Sequence, residues 1–229
     1  MRARAAFEAL IFSSSDSLYP SMPTKNIILD FGGVILNLDI PKTIAECNKL
    51  ISVPFESIYT QAAQSDLFNA FDKGQISEPE FFERLSVLID YKGPQQALLN
   101  AWNAMLLDLP KHRLDLLLQL KLKYRTFLLS NTCEPHITVF EGDMKNVHGI
   151  DNLNGYFEKV YYSCRLGMRK PDKEIFEFVL RENNLVASET IFIDDSVQHV
   201  KGAAAAGLQA HLLEKGRELS DLLKDLALL

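Results

Sequence analysis

The chain has 229 residues, 47% of them hydrophobic, and a formal net charge of -6 at pH 7, as expected for a globular protein with a sizeable core. This acidic balance argues against a nucleic-acid partner, and no apolar run approaches the roughly 20 residues that span a bilayer. Cys47, Cys133 and Cys164 lack CxxC spacing, so we expect neither disulfides nor a zinc site and favour a reducing cytoplasm.

The first 21 residues precede a second methionine, Met22. Their apolar patch is short, contains Glu8 and is not followed by a small-residue cleavage pattern, so the segment makes a poor signal peptide. We expect residues 1–21 to be a disordered extension and the folded part to begin at Met22.

Four short apolar runs each end on a polar side chain: NIILD (26–30), TFLLSN (126–131), KVYYS (159–163) and TIFIDD (190–195). Runs of this kind predict strands that are buried on both faces. Helical patterns at 110–123, 172–184, 197–207 and 217–229 lie between or after them. The alternation predicts an α/β fold, a Rossmann-like doubly wound parallel sheet.

Residues 39–108 do not follow this alternation. The segments 43–51, 56–64, 66–71, 78–89 and 95–106 read as successive helices, separated by turns that contain proline or glycine. We therefore expect a helical cap at 39–108, inserted into a core formed by 22–38 and 109–229. The stretch 141–157 reads as a long loop or a broken helix.

The ends of the first, second and fourth of these predicted strands carry the candidate functional side chains. Ligands of parallel sheets bind beyond the carboxyl ends of the strands, so we expect Asp30, Ser130, Asn131, Asp194 and Asp195 to share one edge of the sheet. Each of these residues alone is commonly a helix cap or a turn residue. The ordered series DFGGV, LLSNT, GMRKPD and FIDDS is a far more specific signal for a functional site.

With DKGQIS in the predicted cap and SCRL directly before GMRKPD, this series resembles the haloacid dehalogenase superfamily. More narrowly, it resembles the branch with a helical cap that includes bacterial glucose-1-phosphate phosphatases. The resemblance covers nearly everything from Met22 onward. It implies an enzyme that hydrolyses small phosphate monoesters, such as sugar phosphates, with Mg²⁺ and an aspartyl-phosphate intermediate.

The resemblance also assigns roles to individual residues. Asp30 would be the nucleophile, because a covalent intermediate divides a difficult hydrolysis into two easier steps. Asp30, Asp195 and the main-chain carbonyl of Gly32 would hold Mg²⁺, which prefers oxygen ligands. Asp194 would lie further from the metal than Asp195 and act on it indirectly, because neighbouring side chains on a strand point to opposite faces.

The phosphoryl group would be bound by hydroxyl, amide and ammonium donors and by backbone N–H groups of the turn after Asp30. The residues implied are Phe31, Gly32, Ser130, Asn131 and Lys170. His199, one turn into the following helix, is expected to be a helix-surface or capping residue.

Gly32 departs from the superfamily pattern, in which phosphatases usually carry a second aspartate that protonates the leaving group. Loss of such a group costs about 100-fold to 10,000-fold in rate. A sugar 1-phosphate would tolerate the loss, because its hemiacetal oxygen leaves more readily than an ordinary alkoxide. The alternatives are a non-catalytic protein that binds a phosphorylated ligand, a haloacid dehalogenase, or a phosphonatase with Lys73 as its cap lysine. The sequence leaves the oligomeric state open.

Overall fold

The computed structural model of the protein describes residues 23–59 and 66–229. The expected N-terminal extension and most of the predicted helix at 56–64 lie outside the described residues. The core is a sheet of parallel strands in the order β3-β2-β1-β4-β5, which confirms the predicted α/β class. The strands are β1 (Asn26–Leu29), β2 (Arg125–Ser130), β3 (Lys159–Tyr162), β4 (Thr190–Asp194) and β5 (Gln209–Leu212).

Helices cover both faces of this sheet, and further helices follow one another between β1 and α5. The helices are α1 (Ile40–Asn48), α2 (Asp66–Asp72), α3 (Glu78–Leu88), α4 (Gln95–Asn103), α5 (Lys111–Lys123), α6 (Glu134–His148), α7 (Ser163–Leu166), α8 (Lys173–Glu182), α9 (Val197–Ala205) and α10 (Leu219–Asp225). Ile27 and Leu29 of β1 pack in one cluster with residues of α5, α6 and α10. Ile28 faces the other way, into a cluster with α8 and α9. The alternation of side chains along the strand thus fills a core on each face.

The segment between β1 and α5 is helical in most of its described part and packs around its own aromatic cluster. Phe68, Phe81 and Trp102 are buried there, and the rings of Phe71 and Phe81 stack with centroids 3.9 Å apart. A separate hydrophobic centre of this kind allows the segment to keep its shape independently of the sheet.

Both ends of the helical segment meet beside the sheet. The N–H of Asn37 donates to Asp108 (3.0 Å), that of Leu107 to Asn37 (3.1 Å) and that of Asp39 to Met105 (2.9 Å). The two connections therefore run as a short antiparallel pair, which fixes where the insert joins the core.

The turn after α2 lies against the loop that follows β3. Gly74 has φ +62°, and a Cβ there would lie 2.0 Å from the carbonyl oxygen of Cys164. Beside it, the Lys73 ammonium contacts the carboxylate of Asp172 at 2.9 Å. Only glycine allows this close approach of the two backbones.

One expected segment is only partly irregular, and one strand was not expected. The stretch 141–157, expected to be a long loop or a broken helix, starts within α6, which extends through His148 and ends at Gly149, where φ is +70°. The apolar stripe of α6 begins at Ile137 and Phe140, before that stretch, so the stretch alone hides the helical pattern. The edge strand β5 was missed because Gln209 and His211 interrupt its apolar run. Among the described residues, no helix is long and apolar enough to cross a membrane.

We predict that Gly74→Ala lowers the free energy of unfolding by about 1–3 kcal/mol, because the new Cβ meets backbone and the residue keeps a positive φ. Gly142→Ala is the matched control: Gly142 lies inside α6 with open space around its Cα, so alanine should stabilise by about 0.5–1 kcal/mol. Urea unfolding of the three proteins measures both effects. Equal midpoints for the two variants would contradict the close approach at Gly74.

Candidate active site

The carboxyl ends of three neighbouring strands bring polar side chains together. Asp30 follows β1, Ser130 ends β2 and Asp194 ends β4, and β1 lies between β2 and β4 in the sheet. The chain builds the sheet on one side of β1 with β2 and β3 and then crosses to the other side with β4. Ligand sites of open α/β sheets lie at such a switch point.

Lys170 is the cation at the centre of this edge. Its ammonium lies 2.8 Å from Oδ1 of Asp30 and 2.6 Å from Oδ2 of Asp194, and the residue is 0% exposed. The Asn131 side chain holds the Lys170 backbone: its Nδ2 donates to the carbonyl at 2.8 Å and its Oδ1 accepts from the N–H at 2.9 Å. This clamp was not predicted, since the sequence suggested a phosphoryl contact for Asn131.

Burial and mutual charge set the ionisation of the three groups. Burial raises the pKa of Asp30, the Asp194 carboxylate raises it further, and Lys170 opposes the rise. Burial also acts to raise the pKa of Asp194, but Lys170 and His199 together hold it well below the usual range. The pKa of Lys170 is raised, since the attraction of the two carboxylates outweighs its burial. Asp194 is therefore the permanent counter-ion of the ammonium.

The adjacent carboxylates Asp194 and Asp195 face different surroundings. Asp194 also accepts from the N–H of Ser196 at 2.8 Å, so both of its oxygens are engaged within the core. Asp195 lines the cavity above the sheet. Its Oδ2 lies 2.3 Å from where a Cβ on Gly33 would stand, and Gly33 has φ +77°. Glycine therefore allows the loop after Asp30 to pass close to this carboxylate.

Oxygen donors suited to a hard cation share the cavity wall. Asp30, Gly32 and Asp195 all line it, and carboxylate and carbonyl oxygens are the ligands that Mg²⁺ prefers. Asp30, Asp194 and His199 also offer donor atoms within 4.8 Å of one another. The Lys170 ammonium contacts both of those carboxylates, and its charge disfavours a second cation among them. The residues fit a magnesium site on the cavity side.

The remaining predicted contacts lie in the turn after Asp30. The N–H of Phe31 donates to Oδ1 of Asp30 at 2.7 Å, and the Phe31 ring packs edge-on against Phe140. A Cβ on Gly32 would lie 2.4 Å from Cδ1 of Leu38. Leu38 thus fills the space into which a side chain at position 32 would extend.

Sequence reasoning undervalued two residues of the cavity. His199, expected at the helix surface or as a capping residue, is buried: Nδ1 lies 2.9 Å from Oδ1 of Asp194, and Nε2 has no hydrogen-bond partner among the described residues. Its place one turn after Asp195 was the available signal. Arg169 is also buried and pairs with Asp72 of α2 at 3.4 Å.

The cavity has a volume of about 110 Å³. The sheet edge forms its polar floor. Across from that floor lie residues of the helical segment and its connections, among them Leu38, Ile40, Tyr59, Trp102, Met105 and Leu106. The site is a two-sided pocket with a charged floor and a largely apolar roof.

The parallel sheet, its acidic edge with the buried Lys170, and the helical segment inserted after β1 define an α/β protein with a Rossmann-like core. The chain belongs to the haloacid dehalogenase-like hydrolase family, whose family model matches residues 24–207.

Two relatives in sequence carry phosphatase names. A D-ribitol-5-phosphate phosphatase of Bacteroides thetaiotaomicron is 29% identical over 194 residues, which are 85% of this chain and 94% of the relative. A sesquiterpene phosphatase of Aspergillus oryzae is 25% identical over 189 residues, 80% of this chain and 87% of the relative.

A similar solved structure is that of a haloacid dehalogenase family enzyme of Bacteroides thetaiotaomicron in complex with magnesium and inorganic phosphate. Its TM-score is 0.76 at 33% identity, and the match covers 87% of this chain and 98% of that one. Sequence and structure thus place the chain among hydrolases that include magnesium-bound members.

His136 lies in the cavity wall, and its burial should make the stability of the protein depend on pH. Its ring stacks on Trp102 with an interplanar angle of 12°, and burial lowers its pKa to about 4. The unfolded chain takes up this proton below about pH 6.5, whereas the folded protein resists it until about pH 4. The folded state therefore loses stability as the pH falls through this window, by up to ~3 kcal/mol.

We predict that His136→Phe, which keeps the stacking on Trp102, loses less stability than the wild type between pH 7 and pH 4. Urea unfolding at a series of pH values measures the difference. Val147→Gln is the control, because Val147 is 72% exposed and the substitution changes no ionisable group. Parallel stability profiles for the wild type and His136→Phe would contradict the prediction.

Proposed function

We propose that the protein is a magnesium-dependent phosphatase that hydrolyses small phosphate monoesters through an aspartyl-phosphate on Asp30. The observation that carries this proposal is the buried Lys170 ammonium, held against Asp30 and Asp194 at the switch point of the sheet. Family membership and a relative named as a sugar-alcohol phosphate phosphatase support it.

The contacts of Asp30 suggest which oxygen attacks. Lys170 and the N–H of Phe31 both bind Oδ1, so we assign the attack to Oδ2. A bond forms from Oδ2 to phosphorus while the bond from phosphorus to the ester oxygen breaks. Water then attacks the phosphorus of the aspartyl-phosphate, which regenerates the Asp30 carboxylate and releases inorganic phosphate.

Other residues stabilise the transferring group. Ser130 offers a hydroxyl to the phosphoryl oxygens, and Lys170 supplies positive charge beside them. Asn131 acts mainly by positioning Lys170. Bound Mg²⁺ would reduce the repulsion between the attacking carboxylate and the phosphate dianion. Asp30, Asp195 and the carbonyl of Gly32 would hold it, with Asp194 behind them.

Residues 39–108 form the cap in this proposal. Trp102 and Leu106 contribute to the roof of the cavity, and Arg169 joins the roof to the core through Asp72. A roof of this kind excludes water from the reacting groups and selects the ester group.

Gly32 keeps sugar 1-phosphates among the candidate substrates, because the hemiacetal oxygen leaves with little protonation. This preference and the glucose-1-phosphate branch remain part of the proposal. The ribitol relative points to a sugar-alcohol 5-phosphate instead. Both are small phosphate monoesters.

One observation favours a second candidate, a non-catalytic protein that binds a phosphorylated ligand. Leu38 occupies the space beside Gly32 where an acid would act. The intact arrangement of Asp30, Lys170 and Asp194 favours catalysis over this alternative. A phosphonatase gains no support, because Lys73 pairs with Asp172 and is not among the residues that line the cavity.

We predict that Asp30→Asn reduces magnesium-dependent phosphate release at least about 1,000-fold, since the attacking carboxylate is lost. A panel of sugar 1-phosphates, sugar 5-phosphates and acetyl phosphate, each assayed with Mg²⁺ or EDTA, measures it. Asp115→Asn, in an exposed pair with Lys111, is the control and should retain full activity. Wild-type protein that is folded and releases no phosphate would leave the binding protein as the better reading.

A second prediction concerns Gly32 and Leu38. The double variant with Gly32→Asp and Leu38→Ala should hydrolyse primary alkyl phosphates up to about 100-fold faster, because it regains an acid for the leaving group. Gly32→Asp alone should gain little, because its Cβ meets Leu38. Steady-state kinetics of both variants and of Leu38→Ala measures the effect. An equal gain from Gly32→Asp alone would show that Leu38 does not exclude the acid.

A further inference from the structure

We infer that the site accepts phosphate monoesters whose ester group is apolar rather than polyhydroxylated. The inference rests on the proposed function and narrows its substrate class, since it makes the polyhydroxylated sugar phosphates considered there the poorer substrates. Two observations lead to it: the direction in which the ester group must point within the cavity, and the side chains that line the cavity in that direction.

The ester group extends away from the sheet. The attacking and leaving oxygens of phosphoryl transfer lie roughly in line. Asp30 attacks from the floor of the cavity, so the ester oxygen and the group attached to it point toward the roof. The roof therefore contacts the part of the substrate that distinguishes one monoester from another.

This roof offers mainly carbon atoms. Leu38, Ile40, Trp102, Met105 and Leu106 line it. Met105 and Trp102 are 4% and 3% exposed, so they belong to the packed aromatic cluster and present fixed surfaces. Burial of an apolar ester group against such surfaces is favourable in proportion to the area removed from water.

Several polar groups near the roof are already engaged within the protein. The indole N–H of Trp102 points at Sγ of Cys133 at 3.5 Å. Nε2 of His136 faces the Trp102 carbonyl oxygen at 3.4 Å. Arg169 is held by Asp72 and Asn69. These contacts leave few partners for substrate hydroxyls.

Among the described residues, the other polar side chains that line the roof are the Tyr59 phenol, the Asp72 carboxylate, which pairs with Arg169, and Arg169 itself, whose Nε has no hydrogen-bond partner among them. They could serve one or two hydroxyls. A polyol would leave further hydroxyl groups without partners after losing their water, which weakens binding and the transition state alike. An apolar chain has no such groups to satisfy.

The test compares two esters with the same five-carbon chain, n-pentyl phosphate and D-ribitol 5-phosphate. Both are primary monoesters, so they differ chiefly in hydroxyl groups. We expect kcat/KM for the pentyl ester to be about tenfold higher or more, within the range by which apolar pockets discriminate. A ratio of one or below, in protein that hydrolyses acetyl phosphate with Mg²⁺, would overturn the inference and leave the proposed function standing.

Acetyl phosphate separates failure of the proposed function from failure of the inference, because it is a small acyl phosphate with no alkyl group for the roof to select. If the protein hydrolyses none of the three compounds, both the proposed function and the inference are overturned. Leu106→Gln places an amide in the roof and should lower the ratio of pentyl to ribitol ester about tenfold. Leu122→Gln, at a side chain 88% exposed on α5, is the control and should keep the wild-type ratio.

Discussion

The buried Lys170 ammonium is the interaction on which the site depends. It lies between Asp30 and Asp194, and removal of one partner from such a buried group costs about 3–5 kcal/mol. Lys170 is held in turn by Asn131 from the end of β2. Helix α9 approaches the same loop so closely that a Cβ on Gly202 would lie 2.3 Å from the Pro171 carbonyl oxygen. The segments after β1, β2, β3 and β4 are therefore fixed around one charge.

The same loop connects the chemistry with the helical insert. Lys170 points into the core, whereas its neighbour Arg169 reaches Asp72 at the end of α2. Gly74, two residues later in the insert, packs against Cys164 near the start of this loop. A displacement of the insert would act on the loop that carries Lys170. The roof and the charged floor are thus mechanically linked through a few residues.

Much of the core could be predicted from the sequence, because the patterns that indicate its strands are local. A buried apolar run ends on Asp30, another on Ser130 and another on Asp194, and parallel strands bring their carboxyl ends to one edge. Contacts that depend on the paths of loops could not be predicted in this way. Asn131 clamps Lys170 across 39 positions of the chain, and no pattern in either segment indicates this contact. His199 was placed on the surface because helical periodicity does not show which face meets the buried Asp194.

Leu38 belongs both to the cavity lining and to the junction between the insert and the core. Its Cδ1 occupies the space beside Gly32, while its backbone forms a bridge with Leu106 where the two connections of the insert meet. One residue therefore borders the leaving group and belongs to the junction of roof and core. An acidic side chain at position 32 would require this junction to be repacked. The lack of an acid at position 32 and the apolar lining around Leu38 therefore depend on the same packing.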